Sequence, residues 1–257
     1  MQWEYIPVGS FRDCIVKSEG VCVLSMGVIE KHGEHLPVGT DFLSAHMVAV
    51  AAAEIEPAVV FPPYYFGAVS EAMCFPGAVS IKPDLLNAIT QGVLDEIGRN
   101  GFTKIILFNW HGGSTEWLHY LVRCQKFEQK NYDVYYYKSP MPKEAYDLIS
   151  TRAAHAGEVE TSVMMTRYDE YIRKDLYAAA PVPLGRLNHL PETVTAFNYQ
   201  SNYPDHLGGD ARPSTKETGD KLVDIISKDL ANYINVVKKD TVVKQLKEEF
   251  FEKVRNV

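Results

Sequence analysis

Two apolar runs, Val21–Leu24 and Ile105–Phe108, each give way to a segment dense in imidazole, carboxylate and glycine. This pairing restricts the fold more than any other feature of the chain. An apolar run this short and uninterrupted reads as a buried strand, and buried strands belong to sheets covered by helices on both faces. The first run leads into Gly27-Val28-Ile29-Glu30-Lys31-His32-Gly33-Glu34-His35-Leu36-Pro37-Val38-Gly39-Thr40-Asp41, and the second into Asn109-Trp110-His111-Gly112-Gly113. A third cluster, His155-Ala156-Gly157-Glu158-Val159-Glu160-Thr161-Ser162, opens a helical pattern. Ligand-rich segments at strand ends and helix starts are what an open α/β sheet needs to build a site along one edge.

The remaining elements fit that frame. Strands are expected at Val21–Ser25, Ala58–Phe61, Ala78–Ile81, Lys104–Asn109 and Tyr132–Lys138. Helices are expected at Asp41–Ile55, at Pro83–Asn100 and at Thr115–Gln129, the last capped by Ser114. Pro83 suits a first helical turn, and Leu85, Leu86, Ile89, Val93 and Ile97 follow at helical spacing. Such alternation predicts right-handed βαβ crossovers and a mainly parallel sheet between helices. From Ala178 to Pro213 the chain is loop-like, with five prolines, and reads as a flap or an interface arm. Two helices follow, near Ser214–Val237 and Thr241–Val254. No repeat, low-complexity tract or linker divides the chain, so residues 1–257 are expected to form a single domain.

Composition narrows the function. A formal charge of −7 over 257 residues argues against nucleic acid and against an anionic membrane surface as partners. No stretch approaches the roughly 18 apolar residues of a membrane span, and the N-terminus lacks a basic region followed by an apolar one. The four cysteines, Cys14, Cys22, Cys74 and Cys124, form no Cys-x-x-Cys pair. They read as reduced structural thiols, and a soluble cytoplasmic protein is expected.

Carboxylate and imidazole are ligands for divalent zinc and manganese. On an extended segment, Glu30 and His32 lie on one side and can reach neighbouring ions. Asp41, at an expected helix start, is either an N-cap or a bridge between two ions. His35 is the less regular partner and is expected to orient a ligand or touch substrate. His111 precedes two glycines, where the backbone can pass close to a bound group. Glu158 and Glu160 diverge on a helix, so one faces the site and the other does not. His46, His119, His189 and His206 lack a second ligand type at suitable spacing and read as surface or core residues.

Together these segments resemble the creatininase family. Residues 27–41 match that family's Gly-x-x-Glu-x-His-Gly-x-His-Leu-Pro motif and its closing Thr-Asp. Asn109–Ser114 is similar to Asn-Gly-His-Gly-Gly-Asn, Phe75–Ala78 to Phe-Pro-Gly-Thr, and His155–Ser162 carries His-Ala-Gly-x-x-Glu-Thr-Ser in full. Gly208–Gly219 is similar to the segment that leads into the family's last long helix. The resemblance spans about 200 residues by motif order. It implies a three-layer α/β/α sandwich, two divalent ions per chain (zinc, manganese or iron) and frequent hexameric assembly. It also implies Glu30, His32, Asp41 and His111 as ligands, Asp41 as the bridge and Glu160 as the fifth ligand. Creatininase carries an acidic residue two positions beyond its second-motif histidine, where this chain has Gly113, and Glu158 is the alternative ligand there.

The reaction expected from such a site is hydrolysis of a small cyclic substrate through attack on a polarised carbonyl, with His155 or Glu158 giving a proton to the leaving atom. Relatives open creatinine and formamidopyrimidines, act on a peptide-derived cofactor precursor, or cleave a cyclic diketone derived from inositol. The tryptophans that flank creatinine in the later half of creatininase are absent here, so creatinine itself is not expected. Ser70-Glu71-Ala72-Met73-Cys74 lacks the histidine that many relatives place before the Phe-Pro-Gly turn. Trp110 either stacks on a flat substrate or packs beneath its loop. Polar groups in the flap (Arg186, Asn188, His189, Asn198, Asn202) keep a polyol-derived diketone such as 3-dehydro-scyllo-inosose as a rival substrate. A non-catalytic metal-binding scaffold is the remaining alternative. Apolar residues along Ala178–Pro213 point to a homo-oligomer, a hexamer by the resemblance.

Overall fold

The order of elements in the computed structural model, which describes residues 1–138 and 141–257, is that of a parallel α/β sheet. A short helix α1 (Phe11–Lys17) precedes β1 (Val21–Met26), α2 (Thr40–Ile55), β2 (Val59–Val60), α3 (Pro83–Arg99), β3 (Lys104–Asn109), α4 (Thr115–Cys124) and β4 (Asp133–Tyr137). Short helices α5 (Lys143–Tyr146), α6 (Glu158–Met165) and α7 (Asn198–Asn202) lead to the long α8 (Lys216–Lys239) and α9 (Val242–Arg255). The strands run parallel in the order β2-β1-β3-β4, with Cys22 opposite Val59, Met26 opposite Asn109 and Phe108 opposite Tyr137.

Every residue of β1 is buried, because alternate side chains enter different layers. Val21, Val23, Ile106 and Phe108 pack against α2, α6 and α8. Cys22, Leu24, Met26, Ile105 and Leu107 pack against α3 and α4. The result is an α/β/α arrangement, with all four cysteines free. Burial pushes the Cys22 thiol far above its usual range, consistent with a small core hydrophobe. No helix among the described residues is long and apolar enough to cross a membrane.

Several expected boundaries move. Ala78–Ile81 is not a strand: Val79 makes a lone antiparallel bridge to Ile29 before Pro83 turns the chain into α3. The pairing at Ala58–Phe61 narrows to the two residues of β2. Helix α4 stops at Cys124 rather than Gln129, and Phe127 beyond it stands exposed, with no core to hold another turn. Ser114 does not cap α4; its hydroxyl instead accepts the Ala68 backbone N–H at 3.1 Å. The cap of α8 is Thr215, whose hydroxyl accepts from Thr218 N at 3.0 Å. At the other end of α8, Lys104 Nζ donates to the carbonyls of Val237, Lys238 and Asp240 at 2.7–2.8 Å. A strand lysine thereby satisfies carbonyls that a helix end leaves open.

Candidate metal centre

Adjacent strands β1 and β3 are followed by helices on opposite faces of the sheet, α2 on one and α4 on the other. The loops part at the carboxyl ends of the strands and leave a crevice there. Into it the chain brings Glu30 and His32 from the loop after β1, Asp41 from the first turn of α2, His111 from the end of β3 and Glu160 from the first turn of α6. Gly27 seats Asp41: a Cβ at that position would lie 2.3 Å from Phe42 N and 2.7 Å from Asp41 Cβ. Only glycine lets the first turn of α2 press this closely on the end of β1. Asn109 fixes the His111 backbone, donating from Nδ2 to the His111 carbonyl at 2.6 Å and accepting from His111 N at 3.3 Å.

Asp41 stands between the two imidazoles. Its Oδ1 is 3.1 Å from His32 Nε2 and its Oδ2 is 3.2 Å from His111 Nδ1. Glu160 Oε2 lies 3.7 Å from His32 Nε2, and Glu30 Oε1 lies 2.8 Å from His111 Nδ1. His111 donates from Nε2 to the Ala68 carbonyl at 3.1 Å, which turns the Nδ1 lone pair toward the acids. Glu30 Oε1 and Asp41 Oδ2 are both buried without a hydrogen-bond donor in good geometry among the described residues. Buried acceptors left without donors are costly in a folded protein unless a cation occupies the point they face. Asp41 thus offers one oxygen to each of two groups, His32 with Glu160 and His111 with Glu30. This donor set fits two divalent ions sharing a carboxylate.

The electrostatics agree with that fit. Burial disfavours a charged His32, yet Asp41, Glu160 and Glu30 outweigh it and lift the imidazole to about 10. Glu30 is held far below the usual carboxylate range: burial works against the charge, and His111, His206 and His32 more than reverse it. Burial, reinforced by Asp41 and Glu30, pushes Glu160 up to about 7 against the pull of His32. Negative potential concentrated in a buried crevice draws positive charge, as protons on imidazole or as metal.

A family model, creatinine amidohydrolase of the creatininase family, matches residues 8–234. The chain belongs to the creatininase family. It is 32% identical over 175 residues to the mycofactocin precursor peptide peptidase of Mycolicibacterium smegmatis, over 64% of this chain and 65% of that protein. The chain spans just under two thirds of the length of the curated peptidases it matches. It is 24% identical over 204 residues to the 3-dehydro-scyllo-inosose hydrolase of Thermotoga maritima, over 76% of this chain and 65% of that protein. A creatininase crystal structure superposes with a TM-score of 0.79 at 19% identity, over 93% of this chain and 98% of the other. A manganese creatininase does so with a TM-score of 0.73 at 18% identity, over 93% and 99%. These structural likenesses carry the three-layer fold.

Within this creatininase-family chain, His155 joins the cluster and Glu158 does not. His155 donates from Nε2 to the Lys31 carbonyl at 2.8 Å and turns Nδ1 toward Glu30 Oε1, 3.8 Å away. Burial, with His32 beside it, lowers His155 to about 3, so the ring is neutral. Glu158 is the correction to the sequence reading, both as proton donor and as alternative ligand. Its carboxylate accepts the backbone N–H and hydroxyl of Ser150 and of Thr151, at 2.8–3.3 Å, and ties that loop to α6. Two residues along a helix turn a side chain through about 200°, so Glu160 enters the crevice while Glu158 leaves it.

His35 also lies outside the cavity. It is within 3.0 Å of Thr161 Oγ1, and burial lowers it to about 4, so it braces α6 as a neutral ring. Trp110 lines the cavity and leans edge-on against Phe108. Two site residues escaped the sequence reading. His206, from the end of the Ala178–Pro213 arm, is buried and donates from Nε2 to Glu30 Oε2 at 2.8 Å. Glu71 brings Oε1 to 3.4 Å from His111 Nε2. The signal for His206 was its place just before Gly208-Gly209 at the end of the arm; Glu71 sits five residues before the Pro76-Gly77 turn.

Proposed function

We propose that this chain is a hydrolase of C–N bonds in small amides or short peptides, working with two divalent ions held by Glu30, Asp41 and His111 on one side and His32, Asp41 and Glu160 on the other. The observation that carries the reading is the split Asp41 carboxylate, one oxygen toward each imidazole, beside buried acceptors without donors. Carboxylate and imidazole without thiolate suit zinc, manganese or iron. When bound, such ions supply an ionised water near neutral pH and a polarised carbonyl. His155 turns Nδ1 to the crevice, where its lone pair is placed to hold the proton that the attacking water gives up and to pass it to the leaving nitrogen. Its bond to the Lys31 carbonyl fixes the tautomer that does this. Tyr199, whose buried hydroxyl has no hydrogen-bond partner among the described residues, lines the same cavity as a donor for a substrate oxygen.

The cavity over the cluster is about 650 Å³, within the range of small-molecule sites and roomy for one small ring. Trp110, Met141, Tyr146, Val159 and Ile226 give it an apolar wall, and among the described residues no lysine or arginine lines it. That wall favours neutral, partly apolar substrates. The peptidase likeness at 32% identity, set against 24% for the inosose hydrolase, supports C–N over C–C cleavage. The test is metal analysis with a substrate panel of linear peptides, cyclic amides and a cyclic diketone. Two ions per chain and turnover of the amides are expected. Turnover of the diketone alone moves the assignment to C–C cleavage, and a metal-loaded protein inert to all classes favours a scaffold. The reading extends to assembly as a homo-oligomer, supported by the apolar groups that the arm leaves uncovered.

A further inference from the structure

Glu71 stands beside Glu30 and His111 at the edge of the centre. It sits on a single 3-10 turn, Ser70–Ala72, remote in sequence from every group in the cluster. Its carboxylate lines the cavity, and among the described residues its one ion-pair partner is His111, with Oε1 3.4 Å from Nε2. Ligand atoms of Glu30, Glu71 and His111 all lie within 4.8 Å of one another. A cation binding oxygen and nitrogen at about 2.0–2.2 Å spans ligands roughly 4 Å apart. Glu71 lies on the Nε2 side of His111, so it joins the set by turning its carboxylate toward Glu30 Oε1. Glu30 Oε1 in that same group is the buried acceptor without a donor.

The backbone makes room for this carboxylate. A Cβ at Gly113 would lie 2.3 Å from Glu71 Oε1 and 2.5 Å from His111 Nε2. Any side chain at 113 would therefore drive Glu71 and His111 from where they stand. The carboxylate of Glu71 occupies the space that the glycine leaves open. The loop is held in place, since Gln200 of α7 donates from Nε2 to the Glu71 carbonyl at 2.6 Å.

We infer that Glu71 is a metal ligand of this chain, completing the set of Glu30, Asp41 and His111 from the loop that precedes α3. The inference rests on the two-ion reading above. Its test is calorimetric titration of chelator-stripped full-length protein with Mn²⁺, alongside the visible spectrum of the Co²⁺-loaded protein, for the wild type, Glu71→Gln and Glu71→Asp. Glu71→Gln is expected to keep one ion at wild-type affinity and to weaken the other at least tenfold, with a Co²⁺ spectrum altered by the lost ligand. Glu71→Asp is expected to fall between the two. Glu71 reaches solvent, so folding should persist, and far-UV circular dichroism checks it. Unchanged titrations in Glu71→Gln overturn the inference. Weakened binding with an unchanged Co²⁺ spectrum also overturns it, because Glu71 would then act only by supporting His111. A wild type that takes up a single ion sinks the two-ion reading, and comparison with Glu71→Gln still decides whether Glu71 ligates that ion.

Discussion

Asp41 is the residue on which the centre depends, because one carboxylate serves both imidazole groups. Asp41→Ala should lose both ions, which elemental analysis of the purified variant measures, together with nearly all hydrolysis. A variant that keeps two ions removes the shared-carboxylate arrangement. His155→Ala should behave differently. Its ring packs on His32 and faces Glu30, but in the proposed reaction it handles protons, so the variant should retain its metal and lose about 10²–10⁴-fold in turnover. Loss of metal from His155→Ala would make it a ligand instead. At this scale the sequence was most readable where the clustered groups share a segment: Glu30, His32 and Asp41 fall within twelve positions, and Glu160 lies in an unbroken motif. Glu71 and His206 were not readable, because each comes from irregular chain and meets the cluster only through folding across 40 and 176 residues to His111 and Glu30. Glu158 was misread in the opposite sense, since no local pattern says which of two acids on one helical turn faces inward.

Helices α6 and α8 translate that residue geometry into stability. Helix α6 carries Glu160 into the crevice, and α8 packs along it and along α2, which carries Asp41. The carboxyl end of α8 is held by Lys104, whose ammonium reaches three carbonyls near the start of β3. Lys104→Met keeps much of the apolar stem and removes the donors. It should cost about 1.5–3 kcal/mol, the range for hydrogen bonds to a charged group, read as a lower midpoint in chemical denaturation with an unchanged slope. An unchanged midpoint would mean that solvent serves those carbonyls equally well. Strands β1 and β3 were legible as apolar runs because both of their faces are buried. The expected strand at Ala78–Ile81 failed because a four-residue segment carries no information about a partner. The expected end of α4 failed because helical spacing at Phe127 had no core to meet.

Over the whole molecule, the segment from Ala178 to Pro213 divides into two parts with different surroundings. Its second part closes over the chain's own centre: Tyr199 lies edge-on to His155 and His206, Gln200 holds the Glu71 loop, and His206 meets Glu30. The first part buries little, since Val182 is 83% exposed, Val194 90% and Phe197 70%. Apolar groups along a loop without helical or strand periodicity need a surface, and in the proposed assembly a second copy of the chain would supply one. The sequence could show that this stretch was irregular and apolar, but not that its two ends serve different neighbours. Sedimentation velocity at micromolar concentration should therefore give a species several times the 28.9 kDa of one chain. Replacing Val182 and Val194 together by Asp should shift that species toward the monomer and leave the thermal unfolding of the isolated chain intact, because neither side chain supports its own core. A wild-type monomer at that concentration would remove the assembly and leave the segment as a lid alone. A double variant that still assembles would place the subunit contact on another face.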